Sequence, residues 1–334
     1  MGFSLPIPQD LIARRILDWV FELIHTELEQ FEARLARELH SSVAFIEIIG
    51  EDLVSAGGKR LRPSLAFLTG HLLGVEFETS MRVALTVELL HSASLLHDDL
   101  IDDADTRRGF EAAFRRYGNV VSVMSGDFML ARVLGLLADL GHVGFTRLMS
   151  ETAARLCEGE VLQFQMASLE AWDFDSYLKV IEGKAAVLFS AALEGVAQLA
   201  GASVAQCGAL HSFGMHYGRA FQMRDDYLDL LGDEELLGKP VGGDLREGKA
   251  TYPILVLLAK GVMEAREVLR RHASEGGDVD LMIDLVLSHG ADRATQARIA
   301  EEVGEAIASL GGFPDSEARS CLEELAAREI ERVR

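Results

Sequence analysis

The sequence predicts an all-α protein, and three observations support this prediction. Apolar residues recur at helical spacing along most of the 334 residues, and no stretch of convincing length alternates apolar and polar residues. Only 6 prolines are present and 49% of the residues are hydrophobic, which favours a compact helical globule. No Pro- or Ser-rich linker divides the chain, so residues 1–334 are expected to form a single domain.

Net charge and cysteine content restrict the class of protein. The 32 Lys and Arg against 53 Asp and Glu give a formal charge of −21. This charge disfavours nucleic acid and anionic lipid as partners, because both require a basic surface. Cys157, Cys207 and Cys321 show no paired spacing, so no disulfide framework or cysteine metal site is expected. Without a signal peptide or an apolar run of about 20 residues, the sequence predicts a cytoplasmic protein with no transmembrane segment.

The first 63 residues predict two helices and a basic loop. Residues 1–40 form an N-terminal helical arm, with helical periodicity over 10–40, and a second helix covers 41–55. Packing or a subunit contact is the expected role of this region. Residues 57–63 combine two glycines, three cations and a proline. Backbone amides at a helix start, together with Lys59 and Arg62, predict an anion site, although basic loops are often merely solvated.

A first acidic cluster continues an apolar helical run over residues 83–94. Residues 95–103 read LLHDDLIDD, and Asp98 and Asp102 are four residues apart. They therefore share one helix face, about 6 Å apart along the axis. Two like charges on an apolar helix repel, and a divalent cation would compensate for them. A solvated helix face is the simpler explanation of one such cluster.

A second cluster has the same spacing in another apolar helix, predicted over residues 203–231. Residues 221–229 read FQMRDDYLD. Two facing carboxylate clusters provide hard oxygen ligands, which suit Mg²⁺ or Mn²⁺. The candidate metal ligands are Asp98, Asp99, Asp102, Asp225 and Asp229.

Cations and glycines accompany both clusters. Lys184 stands among small and apolar residues, where it either reaches to solvent or faces an anion. Gln163 interrupts an apolar stretch, and the glycine-rich segment 238–249 is a candidate mobile lid. The candidate phosphate-binding cations are Lys59, Arg62, Arg107, Arg108, Lys184, Lys239 and Lys249. Together these groups describe a site for two diphosphates whose apolar tails enter a dry hydrophobic tunnel.

Further helices are predicted over 118–140, 142–170 and from 173 onward. Thr251 is predicted to cap a later helix that has Pro253 in its first turn. Residues 262–334 predict three or four amphipathic helices, punctuated by glycines. No catalytic constellation is expected in this C-terminal part.

These motifs resemble those of the trans-polyprenyl diphosphate synthases, most closely the long-chain octaprenyl and heptaprenyl branch. The resemblance covers nearly the whole chain, with the motifs in family order and spacing. They lie at residues 57–63, 95–102, 107–109, 126–127, 184, 221–229 and 238–240. The resemblance implies an orthogonal helical bundle around a central hydrophobic cavity, of the isoprenoid synthase type, and a homodimer.

The resemblance also implies a role for each motif. The residues that hold three Mg²⁺ ions on the allylic diphosphate are Asp98, Asp102 and Asp225. The residues that bind this diphosphate directly are Arg107, Lys184 and Lys239, and Gln222 and Lys249 join the same substrate site. The residues that bind isopentenyl diphosphate are Lys59, Arg62, His91 and Arg108. The allylic substrate ionises, the isopentenyl double bond attacks its C1, a proton is lost, and the cycle repeats in trans units.

The sequence departs from the family pattern at two places. Residues 110–113 replace a Pro and a Thr that commonly follow the Arg-Arg-Gly motif, so that Glu111 lies in this stretch. Ala185 replaces a Thr that commonly follows the allylic lysine. Each change removes one hydroxyl contact to a diphosphate, worth about 1 kcal/mol. The departures bear on rate and specificity more than on the type of reaction.

Product length is predicted from the residues four and five positions before the first Asp. Bulky residues there stop chain growth early in this family, whereas here they are the small Ala93 and Ser94. The tail is expected to pass them towards Leu90, with Met124 or Phe128 as the floor of the tunnel. The predicted product is therefore longer than twenty carbons.

Four other functions are compatible with parts of the pattern. A short-chain synthase making fifteen or twenty carbons is the strongest alternative. A non-catalytic subunit of a heteromeric synthase would typically have degraded acidic motifs, and a class I terpene cyclase would leave the basic loop at 57–63 without a purpose. A plain helical scaffold would require both clusters and all seven cations to coincide by chance.

Overall fold

The computed structural model describes residues 20, 22–55, 59–101, 106–107, 110–237 and 240–333, and only the backbone at 106, 107 and 110. These residues form α-helices joined by short turns. The helices are α1 His25–Glu38, α2 Ala44–Ser55, α3 Leu61–Leu73, α4 Phe77–Ile101, α5 Ala113–Tyr117, α6 Asn119–Leu140, α7 Val143–Leu169, α8 Phe174–Ile181, α9 Val187–Leu199, α10 Val204–Leu231, α11 Glu234–Leu237, α12 Gly243–Arg246, α13 Tyr252–Ala259, α14 Met263–Arg270, α15 Asp278–Ser288, α16 Ala291–Ser309 and α17 Glu317–Ala327.

The described residues also form two short strands, one π-helical turn and two 3₁₀ turns. Two strands of two residues, Thr106–Arg107 and Phe110–Glu111, pair antiparallel and are the only strands within the described ranges. A π-helical turn, Glu182–Ala186, joins α8 to α9. Two 3₁₀ turns, Leu310–Gly312 and Arg328–Ile330, flank α17. The four helices α14 to α17 agree with the three or four that the sequence predicts for the C-terminal part.

Capping chemistry fixes several helix starts. The Ser203 hydroxyl accepts a hydrogen bond from the backbone N–H of Gln206, and the Gln206 side chain accepts one from the Ser203 backbone, so a capping box begins α10. The Asp173 carboxylate accepts a hydrogen bond from the N–H of Ser176 and begins α8. Thr251 precedes α13 as predicted, but its side chain makes no capping hydrogen bond.

Helices α3, α4, α9 and α10 form the centre of the molecule. Helix α9 packs against α3, α4, α7 and α10. Apart from Glu194, its residues from Val187 to Ala197 are buried. A helix that is apolar on all sides must be enclosed by others, which explains this central position. Helix α16 covers the outer side of α10.

The close packing of α9 and its preceding turn against α10 depends on two glycines. A Cβ atom on Gly218 would lie 2.3 Å from the Ala186 Cα, and one on Gly214 would lie 2.4 Å from the Ser190 Cα. Backbone atoms of a packed helix cannot yield as a flexible side chain can. Glycine at these positions therefore allows α10, which carries the second acidic cluster, to approach the centre.

Replacement of Gly218 by Ala is expected to lower the midpoint of thermal unfolding, because overpacking against a backbone costs about 1–3 kcal/mol. Circular dichroism on the purified protein measures this midpoint. Gly208→Ala is the matched control, since Gly208 lies in the same helix with nothing near its Cβ position. It is expected to stabilise by up to about 1 kcal/mol through helix propensity. Equal effects of the two substitutions would contradict the close approach.

Candidate active site

One cavity of about 1050 Å³ lies between α4, α6, α7, α10 and the π turn. The described site residues predicted from the sequence that line it are Lys59, Arg62, His91, Ser94, Asp98, Lys184, Gln222 and Asp225. Many of the other lining residues are apolar, among them Leu95, Leu100, Ile101, Val123, Leu156, Val161 and Phe221. The fold thus joins charged groups and an apolar surface in one space.

The three cations at residues 59, 60 and 62 all line the cavity, and Arg60 in addition ties the start of α3 to other helices. Arg60 has a left-handed backbone, with φ at 45°. Its guanidinium donates to the Glu32 carboxylate of α1 and, from Nη1 at 2.8 Å, to Oε1 of the buried Glu88 of α4. Arg60 therefore anchors the loop, and it lines the cavity together with Lys59 and Arg62. The Arg62 guanidinium lies 4.6 Å from the ring centre of Phe189, a cation–π contact that orients it.

The first acidic cluster has one described member in the cavity wall. Asp98 lines the cavity, and so does His91 two helical turns earlier on α4. Asp99 is buried and is not among the lining residues. Asp102 lies outside the described residues. The shared face of His91 and Asp98 follows from their separation of seven residues along a helix.

The second acidic cluster is divided between two spaces. Asp225 lines the main cavity, whereas Asp226 borders a smaller pocket of about 60 Å³ that shares Lys184 and Gln222 with it. Asp229 is buried, and its Oδ2 accepts a hydrogen bond from the backbone N–H of Asp244 at 2.9 Å. This bond attaches the segment after α11 to α10.

Lys249 borders the same smaller pocket, where its ammonium group pairs with Glu247 and lies 3.7 Å from Oδ1 of Asp244. Of the predicted lid, residues 240–249 are described. They form the short helix α12 and the turn that follows it. The lid lysine is thus held next to the second acidic cluster rather than in the wall of the main cavity.

Burial raises the pKa of two carboxylates in the smaller pocket. Asp226 accepts hydrogen bonds from the Tyr177 hydroxyl at 2.7 Å and from the Gln222 amide at 2.9 Å. Its removal from water nevertheless raises its pKa to about 6. Burial and then the charge of Asp226 raise the pKa of Asp244 to about 7. Additional positive charge in this pocket would favour the ionised form of both groups.

Lys184 lies between the two spaces and has two polar partners. Its Nζ lies 2.9 Å from Oε1 of Glu160 and donates to the Gln163 side chain at 3.1 Å. The lysine therefore faces the cavity, one of the two possibilities left open by the sequence. A bound anion would compete with Glu160 for this ammonium group. Gln163, predicted as a possible cavity residue, borders the smaller pocket.

The oxygen donors of this cavity suit a hard divalent cation. Within the described part of the chain, no three His, Cys, Asp or Glu side chains form a cation site by themselves. Mg²⁺ commonly binds through one or two carboxylates together with substrate phosphates, so a complete protein cage is not required. Asp98 of α4 and Asp225 of α10 supply two such carboxylates to one cavity.

A family model described as polyprenyl synthetase matches residues 43–286. The chain belongs to the polyprenyl synthetase family. It is 36% identical over 321 residues to the octaprenyl diphosphate synthase of Escherichia coli (strain K12), covering 95% of this chain and 99% of that protein. It is also 36% identical over 333 residues to the all-trans-nonaprenyl-diphosphate synthase (geranyl-diphosphate specific) of Rhodobacter capsulatus, covering 99% of each.

A solved structure extends this relationship to the fold. The polyprenyl synthase of Caulobacter crescentus CB15, complexed with calcium and isoprenyl diphosphate, matches with a TM-score of 0.89 at 34% identity. The match covers 95% of this chain and 98% of that one. The family, the all-α isoprenoid synthase fold and the enzyme class, a prenyltransferase, are therefore confirmed. These relatives are all described as synthases of prenyl diphosphates or polyprenyl chains, which does not support a terpene cyclase or a plain helical scaffold.

Several predicted site residues of this polyprenyl synthetase lie outside the described residues. They are Asp102, Arg108 and Lys239, and only the backbone of Arg107 is described. Gly57 and Gly58 of the basic loop are also outside. The predicted roles of all these residues stay predictions.

The C-terminal segment contributes a residue to the cavity that no sequence motif predicts. No catalytic constellation is predicted after residue 262, yet Arg332 lines the cavity. Its Nη2 lies 2.6 Å from Oδ1 of Asp225, and its Nε donates to Glu329 at 2.6 Å. The same Nη2 donates to the carbonyl of Phe221 at 3.1 Å. No local motif identifies Arg332, because its acidic partner lies on a distant helix.

The residues predicted to determine product length occupy different environments. Ser94 lines the cavity, whereas Ala93 and Leu90 are buried and are not in its wall. The two residues predicted for the floor of the tunnel, Met124 and Phe128, do not line the cavity, and Met124 is exposed. Val123 and Asp127 of α6 line it instead, since helical rotation turns position 124 outward. Oδ1 of Asp127 lies 3.6 Å from Nε2 of His97, and both line the same wall.

The cysteines provide a probe of the cavity. Cys157 is exposed and lines it, whereas Cys321 is buried and its pKa is raised to about 11 by burial and then by Glu317 and Glu324. Since the thiolate is the reactive form, a thiol reagent at pH 8 is expected to modify Cys157 at least tenfold faster than Cys321. Mass spectrometry after limited alkylation measures both rates.

Farnesyl diphosphate with Mg²⁺ is expected to protect Cys157, because a bound substrate would occupy the same cavity. The Cys157→Ser variant is the control and should lose the fast phase. Modification of Cys157 at the same rate with and without substrate would contradict its place in the substrate cavity.

Proposed function

We propose that this enzyme condenses isopentenyl diphosphate repeatedly with an allylic diphosphate, and makes a trans-polyprenyl diphosphate longer than twenty carbons. The observation that carries this proposal is the composition of one cavity. It contains carboxylates from four helices, with Asp98 and Asp225 in the two acidic motifs, together with several cations and many apolar side chains. Such a cavity suits two diphosphate head groups and an apolar chain. The family relationship supports the same reaction.

In this proposal the carboxylates bind metal ions and the cations bind the diphosphate groups. Asp98 and Asp225 would hold Mg²⁺, the candidate ion, with Asp102 as a further ligand, and Mn²⁺ would suit the same oxygen donors. When bound there, Mg²⁺ neutralises the allylic diphosphate and makes it a better leaving group. Lys184 exchanges Glu160 for an oxygen of that diphosphate. A set of three ions, as the family resemblance implies, is part of this proposal.

A second group of cations binds isopentenyl diphosphate. Lys59, Arg62 and His91 lie in the cavity wall. Arg332 lies near enough to Lys59 to lower its pKa, after the larger effect of burial. This concentration of positive charge is matched to an anion rather than to an apolar ligand. The head groups are therefore held at the charged end, and the chains extend along the apolar wall.

The bond changes follow from this arrangement. The bond from C1 of the allylic substrate to its diphosphate oxygen breaks, and the diphosphate leaves with the electron pair. The double bond of isopentenyl diphosphate attacks C1 and forms the new carbon–carbon bond. This attack, through C4, leaves a cation at C3 of the isopentenyl unit. A proton then passes from C2 to the departing diphosphate, and the C–H electron pair forms a double bond between C2 and C3. The apolar walls exclude water, which would otherwise capture the allylic cation.

The test of this proposal is a product assay with farnesyl diphosphate, labelled isopentenyl diphosphate and Mg²⁺. We expect products of thirty-five carbons or more, sized by chromatography after dephosphorylation. A stop at fifteen or twenty carbons would support a short-chain synthase. No elongation by the folded protein would support a non-catalytic subunit of a heteromeric synthase.

Ser94→Phe is expected to shorten the main product by at least one five-carbon unit, because Ser94 lies in the cavity wall and Phe would narrow it. The same chromatography measures this change. Ser94→Ala is the control and should leave product length unchanged. Ala93→Phe is a weaker probe, since Ala93 is fully buried and overpacking would destabilise the fold. An unchanged product distribution in Ser94→Phe would contradict this account.

We further propose a homodimer that buries the outer faces of α6 and α7, in a protein located in the cytoplasm. These helices expose several large apolar side chains that do not line the cavity: Val120, Met124, Leu134, Val143, Phe164 and Leu169. In the described chain, only Asn119–Leu140 is long and apolar enough to cross a membrane, and a single such helix is weak support for a membrane span. An interface explains an apolar, uncovered helix face without a membrane.

The double variant Leu134→Glu with Phe164→Glu is expected to convert the dimer to a monomer, because each change places a charge in an apolar interface. Sedimentation velocity measures the mass. Val204→Glu is the control, since Val204 is even more exposed but lies at the start of α10. A monomeric wild-type protein, or an unchanged dimer in the double variant, would contradict the proposed interface.

A further inference from the structure

The π turn Glu182–Ala186 is the one interruption between α8 and α9, and Lys184 lies at its centre. A π turn contains more residues per turn than an α-helix and changes the direction of the side chains within it. Such turns are frequent at functional sites. Contacts with the neighbouring helices support this turn, which presents Lys184 to the cavity.

One support is a contact between backbones. A Cβ atom on Gly183 would lie 2.6 Å from the carbonyl oxygen of Arg155 and 2.9 Å from the Cα of Gly159. The turn therefore lies directly against α7 at this point. The same contact brings Lys184 next to Glu160, the residue after Gly159. It fixes the distance between the turn and α7, but a contact without side chains does not by itself fix the rotation of the turn.

The second support is a pair of arginines on Glu182. Oε2 of Glu182 accepts a hydrogen bond from Nη2 of Arg155 on α7 at 2.9 Å. Its Oε1 accepts from Nε of Arg219 on α10 at 3.0 Å, and also from Nη2 of the same arginine. The side chains of Glu182 and Arg219 are 18% and 22% exposed, so their bonds are better shielded from water than the bond to Arg155, which is 40% exposed.

The Glu182 carboxylate thus connects the turn to two other helices. Both of these helices carry site residues: α7 carries Glu160 and Gln163, and α10 carries Gln222 and Asp225. Arg219 is itself held, since its Nη1 lies 3.6 Å from the buried Glu302 of α16. Glu182, Arg155 and Arg219 are absent from the wall of the main cavity and of the smaller pocket. Their effect on substrate would therefore be indirect.

We propose that Glu182 is a positioning residue for the allylic diphosphate. Its bonds to Arg155 and Arg219 orient the π turn so that the Lys184 ammonium group points into the cavity. This inference rests on the proposed function, in which Lys184 binds that diphosphate. Loss of the Glu182 charge removes the ionic bonds of the turn to Arg155 and Arg219, although Arg219 keeps its contact with Glu302, and Lys184 then loses its fixed direction.

The test is the Glu182→Gln variant, which keeps the size of the side chain and removes its charge. The KM for farnesyl diphosphate is expected to rise about tenfold, while the KM for isopentenyl diphosphate changes less than twofold. Arg155→Gln removes only one of the two partners and is expected to give a smaller rise in the same KM. If Glu182→Gln fails to fold, Arg155→Gln tests the same proposal.

A double-variant comparison separates positioning from general stability. In the Lys184→Ala background, Glu182→Gln is expected to raise the KM for farnesyl diphosphate less than twofold further, because the group that it positions is already gone. Asp278→Asn is the matched control: it breaks the ion pair of Arg271 with the buried Asp278, away from the cavity. It is expected to lower thermal stability without changing either KM.

The possible outcomes are distinct. A full effect of Glu182→Gln in the Lys184→Ala background, or an equal rise in both KM values, would overturn the positioning role. No effect of Glu182→Gln, together with a clear effect of Lys184→Ala, would overturn it as well and leave the proposed function intact. An unchanged KM for farnesyl diphosphate in Lys184→Ala alone would overturn both.

Discussion

The structure depends on one constraint: ionised side chains on buried helices require a partner for each charge. Helices α4 and α10 pack in the apolar centre of the molecule, and both carry aspartates. An unpaired charge in this position would cost several kcal/mol. The protein meets the constraint with cations and hydrogen-bond donors from other elements. Arg332 pairs with Asp225, and the Tyr177 hydroxyl and the Gln222 amide bind Asp226.

The same constraint prepares the cavity for its substrates. Lys184 is paired with Glu160, and Asp225 with Arg332, so cations and carboxylates of the cavity already neutralise each other. A diphosphate with its cations brings both signs of charge and can replace these pairs without leaving a charge uncompensated. Substrate binding then replaces ion pairs within the protein by ion pairs between the protein and the substrate, in a cavity that is partly shielded from water. Such an exchange favours a ligand that carries phosphate and metal together over either one alone.

Close contacts between backbones determine where the charged groups lie. Gly214 and Gly218 allow α10 to approach α9 and the turn before it, and Gly159 with Gly183 allows the π turn to approach α7. These contacts involve no functional side chain. They nevertheless set the separation of the helices that carry Asp225 and Lys184, and a displacement of about 1 Å at such groups can greatly reduce catalysis. Packing and chemistry are therefore coupled in this fold.

The all-α class, the start of α10 and α8, and both acidic clusters could be predicted from the sequence. Each depends on local information: helical periodicity, a capping residue, or the four-residue spacing that places two aspartates on one face. The presence of Lys59, Arg62, His91 and Lys184 in the cavity wall could also be anticipated, through motifs in a recognisable order.

Only the tertiary structure decided which of these residues meet. The sequence did not show that Arg60 would anchor a loop through Glu32 and Glu88, or that position 123 rather than 124 would line the cavity. It gave no indication of Arg332, which reaches Asp225 from the end of the chain. Partners that are distant in sequence leave no local pattern, because their contact depends on how helices pack rather than on the residues that flank them. The four-residue spacing of the aspartates was determined by the sequence alone, and the partners of those aspartates by the fold.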